Sequence, residues 1–89
     1  QVPAWLERAL EQDPTPAVRL SLAIALQRSH PDRAHRVMRA LSQSAEAMVK
    51  VQAAIARLDA GDASARALLV AARTASDPQV RRVAYRALG

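Results

Sequence analysis

A chain of 89 residues is at most one domain, with room for a modest core but none for a deep cleft closed by lids. Its composition is 51% hydrophobic but only 2% aromatic, Trp5 and Tyr85 alone, so the expected core is built of Ala, Leu, Val and Ile. Thirteen Lys and Arg against eight Asp and Glu leave a net charge of +5, which suits an acidic partner but falls short of a polybasic tail.

Apolar spacing and turn punctuation predict an all-α chain of six helices, at 4–12, 16–27, 32–43, 47–58, 62–75 and 78–88, with no alternation long enough for a strand. In the first, Leu6, Ala9 and Leu10 share one buried face, and Trp5 is expected to shield the N-terminal end. Thr15 offers a capping oxygen to the second, and Pro16 takes the first helical position, where no amide hydrogen is missed. Ser29-His30-Pro31-Asp32 breaks the chain before the third, whose buried face carries Val37, Ala40 and Leu41. The turn into the fourth, Ala45-Glu46-Ala47, lacks a proline. Gly61 reads as a left-handed stop and Asp62 as the cap of the fifth helix, while Asp77 and Pro78 repeat the cap-and-proline start for the sixth.

The chain also repeats itself. Val18, Val49 and Val80 are spaced by 31 residues, as are Arg19, Lys50 and Arg81, Leu6, Val37 and Leu68, Ala9, Ala40 and Ala71, and Ala25, Ala56 and Ala87. Three copies of one helix pair are expected, at about 1–28, 29–60 and 61–89, with the recurring alanines buried where helices approach closely. Lacking an initiating Met and closing on Leu-Gly, the chain reads as an excerpt of something longer. The run D-P-x-V-R followed by A-x-x-A-L-G, from Asp77 to Gly89, resembles the HEAT-like repeats of the phycobilisome lyase type, and Asp13 to Leu26 matches it more loosely. That resemblance implies a short right-handed α-solenoid whose second helices line a concave surface. It also implies that Arg19 and Arg81 pair with the turn carboxylates Asp13 and Asp77; Lys50 has Glu46 one helical turn earlier. The middle repeat departs from the pattern, with Arg57 where a Leu falls in the others.

Little here suggests catalysis. Without Cys there are no disulfides or thiolate metal sites, which fits a reducing compartment, and no Ser has a plausible His-Asp setting. His30 and His35, five apart, point about 140° away from each other on a helix and read as exposed side chains rather than metal ligands. No catalytic, cofactor or metal residue is expected. No apolar run nears the roughly 18 residues of a membrane span and no signal-peptide pattern is present, so a cytoplasmic location without a membrane partner is expected.

Two surfaces compete for the function. Arg33, Arg36 and Arg39 stand three apart with no acid from 33 to 45, and Arg8 lies in register with Arg39, so an arginine stripe offers itself to nucleic acid or another polyanion. Lacking interleaved aromatics, that stripe is limited to phosphate contacts. Leu20, Ile24, Val51 and Ile55 occupy positions where the third repeat carries Arg82 and Arg86, so they are expected to form an exposed aliphatic patch, unless a tighter curl of the array covers it. The favoured reading is a non-enzymatic scaffold that presents this patch to a protein partner; polyanion binding is the alternative.

Overall fold

Proline opens three of the six α-helices among the residues described, 3–89, in this computed structural model. α1 (Ala4–Gln12) leads to α2 (Pro16–Leu26), α3 (Pro31–Leu41), α4 (Ala47–Asp59), α5 (Arg66–Ala72) and α6 (Pro78–Leu88), with a 3-10 turn at Ala63–Ala65 and no strand among the described residues. At the start of α2, α3 and α6 the ring of Pro fixes φ near its helical value, and its missing N–H falls where no intrahelical partner exists. α3 accordingly begins on Pro31, one residue before the expected Asp32.

Side-chain oxygens hold the turns between the paired helices. Asp77 Oδ1 accepts from the Gln79 amide at 2.8 Å and caps α6 as expected. Thr15 contributes no such bond to α2; Asp13 Oδ1 accepts from the Thr15 amide at 2.8 Å instead. In both cases an Asp before Pro reaches the amide two residues on, as an Asx turn does, but the Thr15 amide precedes α2, which therefore has no side-chain cap. Ser44 Oγ accepts from the Glu46 amide at 3.1 Å and supplies the same closure where the middle turn lacks Pro.

α4 stops at a left-handed Gly61, φ +95°, a conformation that a side chain at that position would strain. The Gly61 amide donates to the Leu58 carbonyl and the Asp62 amide to the Arg57 carbonyl, both at 2.9 Å, which is the paired bonding of a Schellman stop. The next helix is shorter than the expected 62–75. Asp62 accepts from the Ser64 amide at 3.1 Å and tightens the first turn into the 3-10 form, while after Ala72 the amides of Arg73, Thr74 and Ala75 bond three residues back.

Each α-helix packs against the next, and α4 also touches α2 and α6, within overall dimensions of 40 × 25 × 16 Å. α4 is buried on two sides. Val49, Ala53 and Ala56 join Leu10, Leu20, Ala23, Val37 and Met38 in one cluster, whereas Val51 and Ala54 face the other way, into a second cluster with Ala65, Leu69, Val80 and Ala84. α6 contributes Val80 and Ala84 to that second cluster and leaves Arg82 and Tyr85 outside.

Two expectations about packing are corrected by this arrangement. Of the alanine columns, only Ala56 is buried; Ala9 is half-buried, and Ala25, Ala40, Ala71 and Ala87 are exposed. The fully buried alanines are instead Ala23 and Ala54, Ala53 and Ala84, and Ala34 and Ala65, pairs also spaced by 31 but at other positions of their elements. Trp5 does not shield the end of the array, since it is 68% exposed. No helix among the described residues is long and apolar enough to cross a membrane.

Candidate functional site

The four aliphatic side chains expected at the surface divide into two pairs. Leu20 is 6% and Val51 1% exposed, so both belong to the core, and the exposed patch is smaller than the sequence suggested. The comparison with Arg82 misled because Leu20 and Val51 are covered by the elements that come after α2 and α4, a covering that the described residues do not give Arg82. Ile24 is 52% exposed and Ile55 half-buried. With Leu20 as floor and Ala17, Ser21 and Gln52 as rims, they line a shallow groove of about 300 Å³ between α2 and α4. Arg86, six residues after Val80 as Ile24 is after Val18 and Ile55 after Val49, is exposed on α6.

The arginine stripe, expected to be unneutralised because its own run holds no acid, is in fact partly neutralised. Arg33 Nη1 meets Glu7 Oε2 at 3.2 Å and Arg36 Nη2 meets Glu11 Oε1 at 3.3 Å, so α1 supplies the carboxylates that α3 lacks. Arg39 and Arg8 are exposed and form no ion pair among the described residues. Two of the four cations are thus partly compensated before a polyanion arrives.

The basic column does not pair as expected. Arg19 Nε donates to the Leu10 carbonyl at 3.3 Å, and Arg81 Nη1 to the carbonyls of Ala75 and Ser76 at 2.7 and 3.0 Å. These guanidinium groups serve the carbonyls at and beyond the end of the preceding helix, where backbone acceptors are left over and the helix dipole is negative. Asp13 and Asp77, engaged with backbone amides, are not their partners. Lys50 is exposed and pairs neither with Glu46 nor with another acid among the described residues.

A polar cluster at the junction of α3, α4 and the 3-10 turn escaped the sequence reading. Arg57 is 8% exposed and donates to Asp62 Oδ2 from Nε at 3.0 Å, to Ser42 Oγ from Nη1 at 2.8 Å and to Ser64 Oγ from Nη2 at 3.2 Å; its Nη2 also lies 2.9 Å from Asp62 Oδ2. His35 Nε2 lies 3.1 Å from the same carboxylate oxygen, so His35 is half-buried and partnered rather than free on the surface. Ser42, buried, donates its own proton to the Arg39 carbonyl at 2.7 Å. Hydrogen bonding by the Ser64 side chain, then by Arg57, holds the Asp62 carboxyl down to about 2 from its ordinary 3.8, against a burial that pushes it up. The signal was present in Arg57 itself, a charged residue in the position that Leu26 and Leu88 hold 31 residues away on either side.

Ser64, His35 and Asp62 meet here, yet not in the order that hydrolysis needs. Ser64 Oγ donates to Asp62 Oδ1 rather than to the imidazole, so the hydroxyl and the base are not linked. His30 Nδ1 lies 2.9 Å from Ser29 Oγ, apart from this cluster. No group of three or more His, Asp or Glu among the described residues is arranged to hold a metal ion. No protein-family profile, no curated protein and no solved structure matches the chain.

Proposed function

We propose that the chain is a short right-handed, HEAT-like α-solenoid of three helix pairs, and that its α2–α4 face binds a protein partner without catalysing a reaction. The observation that carries this reading is Ile24, a large aliphatic side chain 52% exposed beside a groove that Ile55 and Leu20 also line. With half its side chain open to solvent, an apolar residue at position 24 adds little to the fold and is better accounted for by a contact outside it. Arg82 and Arg86 are exposed on α6, which packs against α4, and their positive charge favours a partner whose apolar segment is flanked by acids. Polyanion binding is the weaker reading, because Arg33 and Arg36 already have Glu7 and Glu11. A cytoplasmic setting agrees with the absence of Cys.

The test is a photo-crosslinking residue placed at Gln52, on the rim of the groove, in the cells that make the protein. A discrete protein adduct that disappears when Ile24→Arg is added is the expected result. A nucleic-acid adduct, or a protein adduct indifferent to Ile24→Arg, would overturn the assignment.

A further inference from the structure

A second cavity lies between α4, α5 and α6, with a volume of about 200 Å³ and walls that include Val51, Leu68, Ala72 and Val80. Its origin is a difference between copies. Thirty-one residues before Ala72 stands Leu41, whose side chain is buried in the first cluster; at 72 only a methyl group remains, and the space it leaves is not closed by its neighbours. Lys50 stands on the wall of this cavity, and its ammonium is the member of the basic column that the fold does not use. Arg19 and Arg81 donate to backbone carbonyls, Arg81 to that of Ala75, itself a lining residue, so a second positive charge sits near the same cavity.

We infer that this cavity binds a small monocarboxylate with an apolar tail, its carboxylate paired with the Lys50 ammonium. At roughly 30 Å³ for each water-sized group, the volume takes a ligand of about six to eight heavy atoms. The tail displaces water from Val51, Leu68 and Val80, and the carboxylate forms a charge-assisted hydrogen bond with a cation that is otherwise solvated. Glu46, one helical turn before Lys50, is the nearest competitor along the helix for that ammonium.

Titration of the nitrogen-15-labelled chain with hexanoate, hexanol and hexylamine, followed by amide chemical shifts, tests the assignment. Hexanoate is expected to shift the amides of 47–51, 71–75 and 80 saturably, about fivefold more tightly than hexanol. Lys50→Gln, at an exposed site, should remove that advantage with the spectrum otherwise intact, and Glu46→Gln should strengthen binding. Ala72→Leu should fill the cavity and abolish binding of all three. Hexylamine binding as well as hexanoate, saturable shifts elsewhere, no saturable shift at all, or an advantage that survives Lys50→Gln would each overturn the inference.

Discussion

Arg57 and Asp62, five residues apart across the left-handed Gly61, meet through two guanidinium nitrogens and one carboxylate oxygen, at 3.0 and 2.9 Å. The Schellman stop makes this contact: it reverses the chain so that the last turn of α4 and the start of the next element face each other. Because Arg57 is buried, its charge requires these partners, and removing the side chain strips Ser42, Asp62 and Ser64 of a donor together. Arg57→Ala is expected to cost about 3 kcal/mol in urea unfolding. An effect within about 0.5 kcal/mol, the range of an ordinary surface change, would show that the cluster does not hold α4 to the 3-10 turn and α3.

The depressed pKa of Asp62 makes this cluster sensitive to acid. A carboxyl whose folded value lies near 2, below its ordinary 3.8, contributes stability that is fully present above the higher value and is lost as pH falls through the lower. The stability gap between wild type and Asp62→Asn is therefore expected to narrow from about pH 4 downward and to close near pH 2. Unfolding curves of both proteins across that window measure it, and a gap that widens on acidification would contradict the geometry.

Ala56 distinguishes the observed packing from a uniform alanine column. It is buried in the first cluster, so Ala56→Leu should overpack and cost about 1 to 3 kcal/mol. Ala25→Leu and Ala87→Leu, at exposed positions, should each stay within about 0.5 kcal/mol. Melting temperatures of the three variants give the comparison; equal losses at all three positions would restore the column as a set of close helix contacts.

The ion pairs of α1 with α3 govern the polyanion alternative. Both are exposed enough to be worth less than about 1 kcal/mol each, so Glu7→Gln with Glu11→Gln should leave the fold nearly unchanged. The same change frees Arg33 and Arg36, and retention of the protein on single-stranded DNA at low salt should rise above that of wild type. Strong retention of the wild type, unaltered by freeing these arginines, would mean that other groups bind the phosphates.

Helix positions were legible because their causes are local. Pro16, Pro78, Gly61, Asp62 and Asp77 act within a few residues of themselves, and the starts of α2, α4 and α6 fall where the sequence predicts. The facing of each helix was less legible. A shift of two residues turns a side chain by about 200°, so recognising that Ala25 and Ala56 share a spacing does not tell them from Ala23 and Ala54, which are fully buried. Leu20 and Val51 failed for a related reason: a helix between two others needs two apolar faces, and α6, which joins only the second cluster among the described residues, is a poor template for α2 and α4. The partners of Arg33, Arg36 and Arg57 depend on which elements meet, and spacing along one helix does not carry that information.

Calorimetric titration of the partner captured at Gln52 into the wild-type chain and into Ile24→Arg, each at low and high salt, tests the binding function most directly. Burial of Ile24 predicts that the wild-type affinity changes little with salt, whereas the substitution weakens it by about tenfold or more, equivalent to about 1.4 kcal/mol, in a chain that remains folded. An affinity that falls steeply with salt and is untouched by Ile24→Arg would contradict it, placing the binding energy on the cationic surface instead of the groove between α2 and α4.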